Sequence, residues 1–390
     1  MKKVYLAAFG SGMGHASRMA ALARELVASG DDVMFSSSGE VTRWFESEGF
    51  SCNDVPLVDI VFTEEGSFSA TETLKFSPVI FARFYKQVIR EVANLRRYGP
   101  DVVLSDSMAS TVVAAKLLGI RSFAILNQLR LISSPRTPRT VAKLLSTGSI
   151  TVGSVFWEFC EQILIPDLPP PYTISERNLW NAGRASARAK YIGFLTPTRN
   201  NAGPTDLGSE ELLGKWRAEK KRPKIFWQVS GPPATRGSLL AKALASAKAL
   251  EEKYLFVITA GSPGGPTAPT PVPGGYLYQW CNISGDLVGS SDVVVSRAGH
   301  VSISDYILRG KPALLVPIPA QTEQIGNAAK ARKLGFALTL EEKSLGPSRV
   351  DEALRELSTD GRYARRSLEI RKIAVGFDAI RTIVELVGKN

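Results

Sequence analysis

Two histidines are the whole imidazole inventory of this 390-residue chain, and each ends a glycine turn behind a short apolar run. His15 closes Gly10-Ser11-Gly12-Met13-Gly14-His15, after Val4-Tyr5-Leu6-Ala7-Ala8-Phe9. His300 closes Ser296-Arg297-Ala298-Gly299-His300, after Asp292-Val293-Val294-Val295. A strand that enters a glycine turn and then a helix aims backbone N–H groups and a helix N-terminus at one point, which favours phosphate or another anion. His15 can also act as a general base near neutral pH. Asp106 ends the apolar run 102–105 on the same expected sheet edge and could orient that base, as acids do in His–Asp pairs. Plainer readings stand beside these: a packing or capping role for His15, and a helix N-cap for Asp106. Arg18, one helical turn beyond His15, is expected to bind an acceptor phosphate together with the turn at Gly12 and Gly14.

The densest polar block is S-R-A-G-H-V-S-I-S-D-Y-I-L-R-G-K-P-A-L-L-V-P-I-P-A-Q-T-E-Q-I-G-N-A, residues 296–328. Arg297 with the Gly299/His300 turn would sit at a helix N-terminus, suited to a pyrophosphate. Asp305, one turn in from Ser302, could accept from a ribose diol. Glu323 and Gln324 leave the next strand on the same edge and could meet sugar hydroxyls. Ser230-Gly231-Pro232-Pro233-Ala234-Thr235-Arg236 opens another helix, either as a plain turn or as a diphosphate cradle. Its two prolines remove two N–H donors, so Thr235 and Arg236 must do more there. No D-x-D occurs, so leaving-group charge is assigned to helix dipoles and arginine, and no metal is expected.

These residues need strand ends to carry them. Apolar runs at 3–9, 32–37, 101–105 and 121–127 alternate with helical periods at 16–29 and 109–118. After a polar, proline-containing stretch the pattern restarts. Strands are expected at 224–229, 254–259, 276–280, 292–296 and 312–317, and helices at 237–252, 301–309, 322–334 and from 350 onward. Continuous apolar strands separated by helices predict parallel sheets covered on both faces. The expected fold is α/β: two doubly wound, Rossmann-like domains facing across a cleft. The expected divisions are an N-terminal domain 1–195, a linker 196–223, a C-terminal domain 224–370, and a terminal helix 371–390 packing back on the first domain.

The net charge is +11, and twelve Lys/Arg stand against Glu91, Asp101 and Asp106 between residues 73 and 143. Such a concentration suits a polyanion: anionic lipid headgroups, a lipid pyrophosphate or nucleic acid. Basic patches interleaved with aromatics are not evident, so no nucleic-acid partner is expected. Residues Val79, Ile80, Phe84, Val88, Val92 and Leu95 repeat at helical spacing and are read as a core stripe, with membrane binding as the other reading. Lys75, Arg83, Lys86, Arg90, Arg96 and Arg97 surround it, and Arg130, Arg136 and Arg139 lie in a basic loop near the sheet edge. No uncharged apolar stretch is long enough to span a bilayer, and Met1-Lys2-Lys3 enters a strand without a signal-peptide core. Cys52, Cys160 and Cys281 form neither a disulfide framework nor a zinc pattern, which fits a reducing cytoplasm.

Taken together, the G-x-G-x-G-H start, Gly231-Pro-Pro-Ala-Thr-Arg236 and the S-R-A-G…E-Q…N-A block resemble GT-B glycosyltransferases. The resemblance is strongest to the MurG-like, family 28 UDP-N-acetylglucosaminyl transferases and their archaeal relatives, and it covers most of the chain. It implies an acceptor-binding N-terminal domain and a nucleotide-sugar-binding C-terminal one. It further implies that Tyr278, Trp280 and the backbone at Cys281 lie beside a uracil ring, that Asp305 holds the ribose, and that Glu323/Gln324 meet the donor sugar. One position departs from the family, whose ribose acid is usually Glu; the wider fold family often has His where Arg297 stands, and both can bind a diphosphate. The implied activity is inverting transfer of N-acetylglucosamine or another hexose from a UDP-sugar to a lipid-linked or phospholipid acceptor. It would run at the cytoplasmic face of an anionic membrane, without cofactor. Other readings are a non-hydrolysing UDP-sugar 2-epimerase, a nicotinamide dehydrogenase and a non-catalytic polyanion binder. The dehydrogenase is suggested by Gly10-x-Gly12-x-Gly14, but His stands at its third fingerprint position. The polyanion binder leaves the Arg297–Gln324 constellation without a role. Oligomeric state is not set by the sequence.

Overall fold

Strand β1 (Lys3–Ala8) alternates its side chains between two faces of a sheet. Val4, Leu6 and Ala8 join one buried cluster, whereas Tyr5 and Ala7 face two others. A strand with apolar residues on both faces must lie inside a sheet with both faces covered. The computed structural model, which describes residues 1–10, 12–58, 77–129, 155–179, 187–196 and 206–389, places it in the interior of one, between two neighbouring strands. The chain forms two units, the first built from the described residues up to Thr196 plus those from Phe377, the second from residues 206–376.

In unit 1, β1 is followed by α1 (Met13–Ala28), β2 (Asp32–Ser37), α2 (Glu40–Ser47), β3 (Cys52–Asp54) and α3 (Ser77–Tyr98). Then come β4 (Val102–Asp106), α4 (Ala109–Leu118), β5 (Arg121–Ile125), β6 (Gln162–Ile165), the single turn α5 (Glu176–Leu179) and β7 (Ala189–Tyr191). The sheet order is β3-β2-β1-β4-β5-β6-β7, all parallel. The order reverses between β1 and β4, where Ala8 pairs with Asp106. At such a switch point the loops leave in opposite directions and open a crevice at the strands' carboxyl ends.

Unit 2 runs α6 (Leu207–Ala218), β8 (Lys224–Gln228), α7 (Pro233–Ala249), β9 (Leu255–Thr259), β10 (Thr270–Val272), β11 (Gly275–Tyr278) and α8 (Ser284–Ser290). It continues with β12 (Val293–Ser296), α9 (His300–Arg309), β13 (Ala313–Leu315), α10 (Thr322–Leu334), β14 (Ala337–Thr339), α11 (Pro347–Thr359) and α12 (Gly361–Ala374). Its sheet order is β10-β11-β9-β8-β12-β13-β14, parallel except for the β10–β11 hairpin. The reversal falls between β8 and β12, where Gln228 pairs with Ser296.

The last helix, α13 (Ala379–Gly388), belongs to unit 1 and buries Ala379, Ile383 and Val387 in the same cluster as α1. Its return is tight: a Cβ on Gly193, whose φ is +83°, would fall 2.3 Å from Phe377 Cβ. Several elements differ from the expected ones. Helix α1 starts at Met13, so Gly14 and His15 belong to its first turn, and α7 starts at Pro233. The short strands β3, β6, β7, β10 and β14 were not anticipated. Among the described residues no helix is long and apolar enough to cross a membrane.

Candidate functional site

The switch point of unit 1 gathers the first cluster. Gly10 leaves β1 so close to the next crossover that a Cβ there would lie 2.6 Å from Ser38 Cβ and 2.9 Å from its carbonyl oxygen, so only glycine fits. Gly12, at φ +89°, is the N-cap of α1, and no side chain caps that end. Its first amides are therefore left for solvent or a ligand. In the first turn of α1, His15 reaches across to β4 and places Nδ1 2.8 Å from Asp106 Oδ1. The imidazole also stands edge-on to Phe9, centroids 5.8 Å apart, and stays 24% exposed.

Asp106 is wholly buried. It does not cap α4, whose N-cap is Met108 without a side-chain bond, so its carboxylate serves the cluster instead. Ser107, which follows it, is held at φ +62° and donates its hydroxyl to Asp106 Oδ1 at 3.2 Å. A non-glycine residue in that region is strained, and such strain gathers at functional sites. Arg18 corrects one expectation. It is 2% exposed, donates Nε to Asp106 Oδ2 at 2.5 Å and Nη2 to Oδ1 at 2.5 Å, and therefore is not placed to take an acceptor phosphate. Burial alone would raise the Asp106 carboxyl, but the Arg18 guanidinium and then His15 outweigh it and hold the group well below the usual carboxylate range. Arg130, and with it the basic loop and Lys75, lies outside the described residues.

The switch point of unit 2 gathers the second cluster. Gly231 turns at φ +106° after β8, and Arg236 in the first turns of α7 donates Nε back to the Gly231 carbonyl at 2.7 Å. Thr235 closes the same turn on the Pro232 carbonyl at 2.9 Å. Next door, β12 runs through Arg297, Ala298 and Gly299 into α9, with His300 buried in the helix's first turn. Ser302, half-buried, follows it.

Three expected donor contacts need correction, and a fourth residue, Asp305, already has a partner. Arg297 is 1% exposed, and its guanidinium donates to Glu342 Oε2 at 2.6 Å, the Thr235 carbonyl at 2.8 Å and the Val316 carbonyl at 3.3 Å. It joins the first turn of α7 to the segments after β13 and β14 rather than reaching a diphosphate. Gln324 is buried, and its Oε1 accepts from the Ala298 amide at 3.3 Å and the Ile318 amide at 3.0 Å. Its carbonyl oxygen is thus occupied in joining the turns after β12 and β13. Tyr278 lies inside unit 2, its hydroxyl 3.0 Å from Ser209 Oγ, because a tyrosine ending β11 points into the core. Asp305 is paired with Arg309 one turn along α9 at 2.8 Å, so a ribose would have to share it. Burial pushes the Asp305 carboxyl up, with Arg309 pulling against that.

Trp280, half-buried, donates its backbone amide to Pro266 beyond the end of β11. The adjacent Cys281 is buried, which drives its thiol pKa upward, so only its backbone suits a ligand. Glu323 sits half-buried in the first turn of α10, after Ala320 at φ +62°. Asn327, quoted in the block 296–328 but given no role there, donates Nδ2 to the Ala298 carbonyl at 3.2 Å. With Gln324 on the amide and Asn327 on the carbonyl, α10 holds both polar groups of Ala298 and fixes the turn that starts α9. Their spacing of one helical turn was the available signal. Among the described residues no cluster of three or more His, Cys, Asp or Glu could hold a metal ion.

Residues 277–375, all in unit 2, match the glycosyltransferase family 28 C-terminal domain. Over 393 aligned residues the chain is 26% identical to an uncharacterized glycosyltransferase of Methanosarcina mazei, covering all of this chain and 98% of that one. It is 31% identical over 114 residues to a UDP-N-acetylglucosamine–N-acetylmuramyl-(pentapeptide) pyrophosphoryl-undecaprenol N-acetylglucosamine transferase of Gloeobacter violaceus, covering 28% of this chain and 32% of that one. Among solved structures, the spinosyn rhamnosyltransferase SpnG complexed with thymidine diphosphate superposes with a TM-score of 0.70 at 15% identity, covering both chains fully. The fold is GT-B.

Proposed function

We propose that this chain, a glycosyltransferase of the GT28/GT-B type, transfers a hexose with inversion from a UDP-sugar to a hydroxyl of a lipid-linked or phospholipid acceptor. The observation that carries the reading is the His15–Asp106 contact of 2.8 Å at the unit 1 switch point. With Nδ1–H donated to Asp106, the Nε2 lone pair is left to accept the acceptor's hydroxyl proton. The acceptor oxygen bonds to the anomeric carbon as the bond from that carbon to the diphosphate breaks. UDP leaves with the electron pair. Its developing charge would be met in unit 2 by the N-termini of α7 and α9 and by Arg236, with no metal. N-acetylglucosamine is the favoured sugar, because the partial relative from Gloeobacter violaceus is named for that donor.

A membrane-borne acceptor is supported by α3. Its inward face carries Gln87, Glu91, Asn94 and Leu95, and its outward face leaves Phe81 64%, Tyr85 66% and Ile89 52% exposed. These three are spaced i, i+4, i+8 and form a single apolar stripe. Arg83, Lys86, Arg90, Arg96 and Arg97 are exposed on the same helix, and its one acid, Glu91, is buried. Apolar side chains flanked by cations suit the headgroup region of an anionic bilayer. We place the protein accordingly on the cytoplasmic membrane face.

The test is UDP release from a panel of UDP-hexoses, with and without acceptor lipids in anionic vesicles, before and after chelation. The expected result is acceptor-dependent release that chelation leaves unchanged. Interconversion of UDP-sugars without acceptor, or turnover abolished by chelation, would contradict the reading.

A further inference from the structure

A bare, buried carboxylate beside His15 would favour the imidazolium, which already holds the proton a base must take. The structure supplies a countercharge. Arg18 Nη2 lies 2.5 Å from Asp106 Oδ1 and 3.1 Å from His15 Nδ1, while Nε holds Oδ2 at 2.5 Å. Guanidinium is always a cation and only a donor, and its planar fork matches a carboxylate at two points. That grip fixes the carboxylate plane so that Oδ1 faces Nδ1, and it cancels the carboxylate's charge. A second cation, the imidazolium, is disfavoured 3.1 Å away.

We propose that Arg18 is a positioning residue that keeps His15 neutral, with its proton on Nδ1, between turnovers. The proposal rests on the reading of His15 as the base, but the coupling it describes exists without substrate. Among the described residues the charged groups in contact with the imidazole are Arg18 from α1 and Asp106 from β4. The neutral neighbours are the Phe9 ring, which touches the imidazole, Ser107, which donates to Asp106, and Asn127, which accepts from Arg18 at 3.5 Å.

The chain's two histidines make the experiment direct. Titration of 13C-labelled imidazoles by NMR, with His300→Gln to assign the signals, reads His15 alone. Arg18→Gln removes the charge and keeps a hydrogen-bonding side chain. It is expected to raise the His15 midpoint by about one pH unit or more. Arg18→Lys, which keeps the charge, is expected to leave the midpoint within about 0.3 units. Where turnover is measurable, the acid limb of kcat/KM should move up with the midpoint in Arg18→Gln and stay in Arg18→Lys. An unmoved midpoint in folded Arg18→Gln overturns the proposal, as does a raised acceptor KM with an unmoved limb. Should Arg18→Gln not fold, the uncharged pair Arg18→Gln/Asp106→Asn is expected to keep the wild-type midpoint, and a fall of about one unit overturns it. A shifted midpoint with no UDP-sugar turnover in the wild type sinks the functional reading and leaves the coupling standing.

Discussion

At the scale of single residues, three of the polar groups singled out by type bind protein. Arg18, Arg297 and Gln324 each looked like a ligand group because each stands in a glycine-rich, polar stretch at a strand end. Each is nearly or wholly buried and satisfies a neighbouring carboxylate or backbone group. Sequence shows which side chains reach a strand end, and not whether a partner already waits there. Glu342, 45 residues from Arg297, is such a partner, and nothing local announces it. The His15–Asp106 contact was legible because the glycine turn after β1 and the end of the neighbouring parallel strand β4 lie at the same sheet edge. Gln324→Ala leaves two buried amides without their acceptor and should cost about 1–3 kcal/mol. It should also weaken UDP binding by loosening the turn into α9. Gln324→Glu keeps an acceptor oxygen and should recover much of the loss. Urea unfolding with UDP calorimetry decides this, and an unchanged midpoint in Gln324→Ala would refute the account of that turn.

Among the elements, long apolar runs were readable and short ones were not. Strands β3, β7, β10 and β14 have three residues each, too few for a periodic signal to separate from a turn. Helix α1 begins three residues before its expected start, because Met13-Gly14-His15 carries no apolar repeat and its glycines read as a turn. Helix α3 shows a different limit. The stripe Val79 to Leu95 was read as core, and Leu95 is buried with Val92 packed beside it, yet Val79 is 47% exposed. Phe81, Tyr85 and Ile89 satisfy the same helical spacing, so period alone cannot say which stripe turns inward. If the outward stripe enters a bilayer, Phe81→Ser/Tyr85→Ser/Ile89→Ser should weaken binding to anionic vesicles at least about tenfold, because each apolar side chain contributes about 1.5–3 kcal/mol when fully buried. The melting temperature should hold, since those side chains are exposed. Cosedimentation that does not change would remove α3 from the membrane reading.

On the scale of the whole molecule, two sheets share one logic, and the proposed function gives them different roles. Each candidate cluster lies at the reversal of strand order, between β1 and β4 in unit 1 and between β8 and β12 in unit 2. That doubling was legible, because both glycine turns with histidine follow apolar strands. The chain returns to unit 1 at Phe377 and packs α13 into the same cluster as α1, whereas the expected division fell at residue 371. The proposed base lies in unit 1, and the residues that match the glycosyltransferase family 28 C-terminal domain lie in unit 2. The most direct test of that division follows a labelled sugar from UDP-N-acetylglucosamine into acceptor lipid, in wild type and His15→Ala, beside UDP affinity. The account predicts labelled lipid from the wild type, a loss of about 10²- to 10⁴-fold in His15→Ala, and UDP affinity unchanged. Label transferred equally by both proteins would contradict it.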